Sequence, residues 1–337
     1  MKIIIDAMGG DNAPDAILQG AADAVKELGV EILAVGDPKA IQESAARLGI
    51  LLEGIEILPA SETIEMCDEP AKAVRTKKDS SLVVGLKALA EGKGDAFVSA
   101  GSTGALHVGT SLLVRTVKGV KRPALATVIP GGKKPYLLMD CGANVECRAT
   151  MLNAFGVMGS VYMNKVMGVK DPAVALVNNG AEESKGTPIY REAHQLLKAN
   201  PAIRFTGNIE PRDVPTGAAD VVVCDGFTGN VILKLTEGLA KTLIGQLKPV
   251  FMKNLRTKLA FLAIKDGMKE FKKKMDADEY GGAPLLGAAR PVIKAHGSSN
   301  AKAFKNAIRQ AKLCVEGDVV GTMQASLVAL AAPENEG

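Results

Sequence analysis

The residues best suited to chemistry are the glycines and hydroxyl side chains of the turn Ser99–Ala105. This turn follows a short apolar run and precedes residues 105–114, whose apolar spacing suits a helix. A strand that turns through glycine into a helix leaves free backbone N–H groups beside the positive end of the helix dipole. Ser102, Thr103 and Gly104 therefore predict an anion-binding turn, with an ordinary tight turn that binds nothing as the alternative.

Four further loops of similar composition follow predicted strands and precede predicted helices. Because ligands of parallel sheets gather at the carboxyl ends of the strands, we expect these loops at the same edge as the anion-binding turn. Another polar loop, residues 294–300, precedes a helix near the C-terminus. The candidate phosphate-binding or catalytic residues in these loops are Asp6, Gly9, Gly10, Asp11, Asn144, Lys185, Asp225, Asn230 and His296.

The surrounding pattern predicts the fold class. Short β-branched runs alternate with helical segments from Lys2 onward, which is typical of a mostly parallel sheet in a three-layer α/β/α arrangement. Residues 124–129 and 136–139 predict two strands of a hairpin, and residues 280–287 predict a glycine-rich loop. With 337 residues, we expect one α/β catalytic domain over 1–337, built from two closely joined lobes.

Composition disfavours several classes of protein. A formal net charge of +4, 4% aromatic residues and no tryptophan argue against nucleic-acid binding. The segment Met1–Asp6 reaches a carboxylate too early for a signal peptide, and no apolar run is long enough to span a bilayer, so we expect a cytoplasmic protein. In a cytoplasmic protein we expect the five cysteines to be reduced thiols. The sequence predicts no metal site, because the cysteines lack Cys-x-x-Cys spacing and the three histidines are far apart.

The patterns of common nucleotide-binding enzymes are missing from the sequence. The first loop lacks Gly-x-Gly-x-x-Gly, and neither Gly-x-x-x-x-Gly-Lys-Ser/Thr nor a Gly-x-Ser-x-Gly elbow occurs. What remains is a site that binds a small oxyanion, either inorganic phosphate or a carboxylate. Because a phosphate oxygen is itself a nucleophile, acyl transfer to phosphate depends on positioning and oxyanion stabilisation rather than on an activated side chain.

Three of the candidate residues suit that chemistry. Lys185 can neutralise phosphate or developing charge, and Asn230 can donate a hydrogen bond to a thioester-derived oxyanion. A surface lysine and a helix N-cap are the alternatives for these two residues. His296 contacts phosphate or the acyl carbonyl in one interpretation and has a capping or structural role in the other.

Residues 230–275 predict an amphipathic helical arm. From Val231 onward an apolar residue recurs every fourth position, and a second apolar stretch follows among cations. Between Lys248 and Lys274 only two carboxylates oppose the positive charge. We predict that residues 255–264 form the tip of a helical hairpin that contacts an anionic membrane or an acidic carrier protein, with a dimer-interface helix as the alternative. The predicted membrane contacts are Leu255, Leu259, Phe261 and Leu262.

Seven segments together resemble one known family. They are Met8–Asp11, Ser99–Ala105, Asp140–Asn144, Glu183–Gly186, Gly226–Asn230, Tyr280–Gly287 and Lys294–Ser299. In this order, over the whole chain, they resemble the bacterial phosphate acyltransferases of phospholipid synthesis. The resemblance implies a fold like isocitrate or isopropylmalate dehydrogenase and phosphotransacetylase, no metal, no cofactor, and Lys185 and Asn230 as the catalytic pair.

The resemblance also implies a reaction and partners. A long-chain fatty acyl group moves from acyl carrier protein to inorganic phosphate, and the acyl phosphate then serves a glycerol-3-phosphate acyltransferase. We expect a homodimer that is peripherally associated with the inner face of the cell membrane. The alternatives are a phosphotransacetylase acting on acyl-coenzyme A, a dehydrogenase and a non-catalytic membrane-associated scaffold. The basic, apolar arm argues against the first alternative, because a small soluble substrate needs no such surface.

Overall fold

The computed structural model describes residues 1–274 and 277–331, and within these ranges eleven strands form a single sheet. Side chains of the first strand alternate between two cores on the two faces of this sheet. Ile3 and Ile5 enter one cluster of buried residues and Ile4 enters the other. The first strand is therefore covered on both faces, and the predicted three-layer α/β/α fold is confirmed.

The N-terminal part alternates strands and helices as predicted. Gly29 ends the first helix in the left-handed conformation, with φ of 64°, where glycine carries no Cβ penalty. The strands are β1 (Lys2–Asp6), β2 (Glu31–Gly36), β3 (Ile55–Pro59) and β4 (Ala96–Ser99). The helices are α1 (Asp15–Leu28), α2 (Pro38–Leu48), α3 (Pro70–Thr76), α4 (Ser81–Ala90) and α5 (Thr103–Gly109), which continues as a π-helical turn over Thr110–Val114.

The remaining elements include the predicted hairpin. Its two strands pair antiparallel around residues 130–135. The strands are β5 (Ala124–Ile129), β6 (Tyr136–Met139), β7 (Ala173–Val177), β8 (Arg204–Ile209), β9 (Val221–Val223), β10 (Ala283–Leu286) and β11 (Val292–Lys294). The helices are α6 (Ala149–Lys165), α7 (Pro188–Lys198), α8 (Gly226–Met252), α9 (Leu255–Lys274), α10 (Ala301–Glu316) and α11 (Val319–Ala331).

The strands of the sheet fall into two sets that run in opposite directions. The order is β3-β2-β1-β4-β11-β10-β5-β6-β9-β7-β8. Neighbours are parallel toward both ends, whereas β11–β10, β10–β5 and β5–β6 are antiparallel. Because the direction reverses three times between β11 and β6, the set β6–β9 runs opposite to β1–β4 and β11.

The register nevertheless brings the carboxyl ends of both sets to the same level of the sheet. Ala283, the first residue of β10, pairs with Lys294, the last residue of β11, and two residues later β10 pairs with Leu125. Met139, the last residue of β6, pairs with Ala126. The expectation that all strand-end loops share one edge of a parallel sheet is wrong, because two opposed sets of strands deliver them to the middle of the sheet.

Residues 280–287, expected to form a glycine-rich loop, contain the central strand β10. The pattern misleads because glycines flank only four strand residues, and Pro284 within a strand normally indicates an edge. Gly281 and Gly287 have φ values of 89° and 88°, so they provide the turns on either side of this short strand.

Helices α8 and α9 form the predicted helical hairpin over the arm 230–275, the last residue of which lies outside the described ranges. The chain turns at residues 253–254. The rings of Phe251 and Phe261 lie 5.1 Å apart and join the two helices beside the turn. Residues 255–264 are therefore the first half of α9, next to the tip of the hairpin rather than the tip itself.

Gly229 of α8 packs against the loop after β6 with no room for a side chain, since an added Cβ would lie 1.9 Å from the backbone oxygen of Asp140. We predict that Gly229→Ala lowers the free energy of unfolding by about 1–3 kcal/mol, because the backbone has to shift. Urea unfolding monitored by circular dichroism measures the change. Gly245→Ala in the same helix is the matched control, because no described atom lies within 4 Å of its added Cβ. Equal effects of the two substitutions would contradict the packing argument.

Candidate active site

A buried carboxyl group holds together the loops that follow β1 and β4. Asp6 accepts hydrogen bonds from Ser99 Oγ at 2.7 Å and from the backbone N–H of Met8 at 3.3 Å. Burial raises the pKa of Asp6 above its ordinary value. A Cβ on Gly9 would lie 2.3 Å from Asp6 Oδ2, so glycine lets the first loop approach the carboxyl group. Asp6 and Gly9, predicted as phosphate-binding residues, thus position the two loops from the interior.

The loop after β1 is also bonded to the loop after β11. The backbone N–H of Asp11 donates to the Gly297 oxygen at 2.8 Å, and Asn12 Nδ2 donates to the Ser298 oxygen at 3.1 Å. Gly10 has φ of 106°, and a Cβ there would lie 3.0 Å from the Gly297 oxygen. Gly10 and Asp11 therefore set the spacing between the first loop and the loop that carries the predicted histidine.

A cleft of about 420 Å³ opens where the carboxyl ends of the two sets of strands meet. Three predicted residues line it: Thr103 at the start of α5, Asn230 in α8 and His296 after β11. Cys141 and Lys294 line it too. The structure thus brings together residues from distant parts of the chain. The predicted residues outside the lining are Asp6, Gly9, Gly10, Asp11, Ser102, Gly104, Asn144, Lys185 and Asp225.

Of the three residues predicted at the start of α5, only Thr103 lines the cleft. Ser102 caps the helix, because its Oγ accepts a hydrogen bond from the backbone N–H of Ala105 at 3.4 Å. Gly104 faces the neighbouring helix, and a Cβ there would lie 2.7 Å from Pro70 Cγ. Ser102 and Gly104 therefore shape the turn that presents Thr103.

Lys294 is a buried cation that lines the cleft. Its side chain donates to the backbone oxygens of Ala100, at 3.2 Å, and of Ala295. The residue is only 8% exposed. Burial lowers the pKa of Lys294 to about 8, against the opposing attraction of Asp6 and Asp11. A buried ammonium group at the wall of a cleft suits an anionic ligand, because the anion offsets the unfavourable burial of charge.

The sequence-based selection of site residues missed Lys294. The signal is a charged residue that directly follows the apolar residues Val292 and Ile293, just before a polar loop. Because 280–287 was expected to be a loop, the strand that buries this lysine was not anticipated.

Asp140 organises the loop after β6. Its carboxylate accepts hydrogen bonds from the backbone N–H groups of Gly142 at 3.1 Å, Ala143 at 3.0 Å and Asn144 at 2.8 Å. Asn144 Nδ2 donates both to Asp140 at 2.8 Å and to the Pro123 oxygen at 2.9 Å. Asn144 therefore uses its amide donors to close the loop, and its phosphate contact stays a prediction.

The start of α8 separates two predicted residues by role. Asp225 caps the helix through a hydrogen bond from the Thr228 N–H at 2.8 Å and also accepts from the Tyr190 hydroxyl at 2.5 Å. The Asp225 carboxylate thus has partners within the protein, and its phosphate-binding role stays a prediction. Asn230 lies inside the helix, so the alternative of an N-cap is wrong for it. A Cβ on Gly142 would lie 3.5 Å from Asn230 Cβ, which places Asn230 over the β6 loop.

Lys185 lies on the exposed loop between β7 and α7. Its backbone N–H donates to the Glu182 oxygen at 3.1 Å, and its oxygen accepts from Asn178 Nδ2 at 3.2 Å. Within the described ranges its ammonium group has no ion-pair partner. Strands β7 and β9 are parallel neighbours in the sheet, and Lys185 follows β7 whereas Asn230 follows β9. The catalytic role of Lys185 stays a prediction.

His296 and Cys141 differ in what they contribute to the cleft. The backbone N–H of Ser298 donates to His296 Nδ1 at 3.3 Å, which leaves Nε2 of the ring available to a ligand. Burial raises the pKa of the Cys141 thiol to about 12, which keeps it uncharged at neutral pH. No cluster of three or more His, Cys, Asp or Glu residues suited to a metal ion occurs in the described part of the chain.

The lowered pKa of Lys294 makes stability depend on pH. Below about pH 8 this lysine is charged in both the folded and the unfolded state. Between pH 8 and 10.5, the ordinary pKa of lysine, the unfolded chain binds more protons than the folded chain, so stability rises with pH. We predict that the unfolding free energy of Lys294→Met, minus that of the wild type, falls by about 3 kcal/mol between pH 7.5 and 10.5. Urea unfolding at both pH values measures this change. Lys133→Met is the control, because Lys133 is exposed. The same pH dependence of the unfolding free energy in Lys294→Met and the wild type would contradict the lowered pKa of Lys294.

Comparison with known proteins identifies the family. The family model described as "Fatty acid synthesis protein" matches residues 1–321. A phosphate acyltransferase of Alkaliphilus oremlandii is 49% identical over 336 residues, covering 100% of both chains. A phosphate acyltransferase of Clostridium botulinum, strain Loch Maree, is 47% identical over 328 residues, covering 97% of this chain and 98% of its own. These matches confirm the family resemblance found in the seven segments.

Solved structures share the fold at low sequence identity. A phosphotransacetylase from Streptococcus pyogenes gives a TM-score of 0.64 at 18% identity, covering 98% of this chain and 94% of its own. A 4-hydroxythreonine-4-phosphate dehydrogenase from Klebsiella pneumoniae gives 0.53 at 14% identity, covering 94% and 99%. Both likenesses support the predicted fold class. By the family match and the full-length identities, the chain belongs to the fatty acid synthesis protein family and is an enzyme of the acyltransferase kind.

Proposed function

We propose that the chain transfers a long-chain fatty acyl group from the thioester of an acyl carrier protein to inorganic phosphate, giving acyl phosphate. The observation that carries this proposal is the cleft in which the buried ammonium group of Lys294 lies beside hydroxyl and N–H donors. Phosphate bound there offsets the buried charge, and Thr103 and His296 supply hydrogen-bond donors to the same anion. A glycerol-3-phosphate acyltransferase would use the product.

The proposed reaction forms one bond and breaks one. A phosphate oxygen attacks the carbonyl carbon of the thioester, and the carbonyl oxygen becomes an oxyanion. The C–S bond then breaks, and the departing thiolate takes up a proton. In this scheme the side-chain amide of Asn230 donates to the oxyanion, and Lys185 neutralises developing negative charge, as the family resemblance suggests for this pair.

Direct attack by phosphate agrees with the side chains that line the cleft. The thiol of Cys141 is uncharged at neutral pH and is therefore a poor nucleophile. A bound phosphate next to the thioester carbonyl supplies the nucleophile by proximity, so no covalent acyl-enzyme is required.

Transfer from acyl-coenzyme A is the second candidate, because a phosphotransacetylase shares the fold. The exposed apolar residues of the α8–α9 hairpin favour the long-chain donor, since a small soluble thioester needs no such surface. A non-catalytic scaffold would not require a buried lysine in the cleft.

We predict that thiol release from long-chain acyl-acyl carrier protein requires phosphate and that Lys294→Met slows it roughly 10²–10³-fold at fixed phosphate, mainly through a higher KM for phosphate. A chromogenic thiol reagent follows the release. Asn230→Ala and Lys185→Ala should instead lower kcat, because they act on the developing charge.

Lys133→Met is the matched control for this experiment, because Lys133 is exposed on the turn between β5 and β6. It should retain full activity. Release without phosphate, or a preference for acyl-coenzyme A over the carrier protein, would contradict the proposed reaction.

We further propose that the hairpin contacts the inner face of the cell membrane beside its turn. Leu255, Leu259 and Leu262 are 73%, 58% and 63% exposed, and the cations Arg256 and Lys258 lie among them on the exposed surface of α9. Apolar side chains framed by cations suit the headgroup layer of an anionic bilayer. None of the described helices is long and apolar enough to cross a membrane.

Phe261, predicted with these leucines as a membrane contact, has a different position. It is half-buried, and its ring packs on Phe251. It therefore joins the two helices of the hairpin. The lysines at 272–274 have side chains outside the described part of the structure.

The apolar stripe of α8 supports the expected homodimer. Val231, Leu235, Leu239 and Leu243 recur every fourth residue, and each is about half exposed or more. A contiguous exposed stripe of this kind usually marks an interaction surface. We propose that a second copy of the chain covers it.

We predict that the double substitution Leu255→Glu/Leu259→Glu weakens co-sedimentation with phosphatidylglycerol vesicles by roughly tenfold or more, because charged side chains replace apolar area that would enter the bilayer. Leu51→Glu is the control, because Leu51 is 74% exposed and lies outside the hairpin. Vesicle binding that survives the double substitution would remove the hairpin from the membrane contact.

A further inference from the structure

A second cavity lies outside the cleft, and we infer that it binds a phosphate group carried on an alkyl chain. The cavity measures about 730 Å³. Four connections form it: the segment before β5, the β6–α6 loop, the β7–α7 loop and the residue before α8. This inference goes beyond the proposed function, which binds phosphate in the cleft.

The cavity concentrates cations that have no partners. Lys121, Arg122 and Arg148 line it, and none of them forms an ion pair with the residues that the structure describes. Two carboxylates also line the cavity, those of Glu146 and Asp225. The Asp225 carboxylate already accepts hydrogen bonds from the start of α8 and from Tyr190, and the cations outnumber the two carboxylates. Three cations around one space attract a dianion, and the planar guanidinium groups suit phosphate oxygens.

Helix α6 adds to this positive potential. It begins at Ala149, next to Arg148, and no side chain caps its first turn. The free N–H groups of a helix of 17 residues therefore lie at the edge of the cavity.

A slot of about 200 Å³ lies next to the cavity, and its lining is apolar away from Lys121, Arg122 and Thr150. The two spaces are neighbours, because Lys121, Arg122 and Met151 line both. Ala154 and the fully buried Phe155 line the slot beyond them. An inorganic phosphate would leave this slot empty, and an uncharged lipid would leave the three cations unmatched. A phosphate head with an alkyl tail fills both spaces.

Two sources supply this chemistry. One is the long-chain acyl phosphate that the proposed reaction releases, and the other is a phospholipid precursor drawn from the membrane. Dodecyl phosphate stands for the first, because its phosphate lies directly on the chain. 1-Lauroyl-glycerol 3-phosphate stands for the second, because glycerol separates its phosphate from the chain. The probe that binds more tightly at this cavity indicates the source.

Calorimetric titration of the full chain with dodecyl phosphate, below its micelle concentration, tests the inference. We expect two sites in the wild type, one in the cleft and one in the cavity. Arg122→Gln/Arg148→Gln should leave one site, and Lys294→Met should remove the other. The matched control Lys133→Gln/Lys170→Gln, which neutralises two exposed lysines elsewhere, should keep both.

A second variant tests the slot. Ala154→Leu fills part of it, so dodecyl phosphate should bind the cavity roughly tenfold more weakly while inorganic phosphate is unaffected. Thermal unfolding confirms that each variant folds. Two sites remaining in Arg122→Gln/Arg148→Gln, or inorganic phosphate binding the cavity as tightly as dodecyl phosphate, would overturn the inference. If the wild type bound dodecyl phosphate at two sites but showed no transferase activity, the proposed function would be contradicted and this inference would stand.

Discussion

The antiparallel pairing of strand β10 is the constraint on which the cleft depends. Its four residues pair with the end of β11 on one side and with the start of β5 on the other. If either pairing were parallel, β6 would run in the same direction as β11, and the two sets of strands would no longer point toward each other. The glycines on both sides of β10 permit the sharp turns that this short strand requires. The polar loops of both sets of strands meet in the middle of the molecule for this reason.

Within that geometry, two buried ionisable groups define the site. Asp6 holds the loops after β1 and β4 in place, and Lys294 places a positive charge in the wall of the cleft. Burial of an ammonium group costs several kcal/mol, whereas a hydrogen bond to a charged group returns about 1.5–3 kcal/mol. The two carbonyl partners of Lys294 therefore offset much of that cost, and a bound phosphate adds charge compensation. A site preorganised in this way stabilises negative charge without rearrangement.

The sequence predicted local structure well because local rules govern it. The apolar run of β1, the end of α1 at Gly29 and the start of α7 at Thr187 follow from periodicity and capping. The opposed direction of the two sets of strands depends on long-range pairing that no local pattern encodes. Asn144 was predicted as a ligand because its residue type suits phosphate, yet its donors hold the β6 loop closed. Lys294 was missed because only the strand assignment shows that it is buried.

The fate of the phosphate oxygens tests whether phosphate itself attacks the thioester. Incubation of the protein with acyl-acyl carrier protein and phosphate labelled with ¹⁸O at all positions, followed by mass spectrometry, identifies the atom that joins the acyl group. Direct attack by phosphate predicts acyl phosphate that carries all four labelled oxygens, because a phosphate oxygen becomes the bridge and no bond to phosphorus breaks. Free fatty acid without acyl phosphate, or acyl phosphate that has lost one label, would contradict direct attack by phosphate.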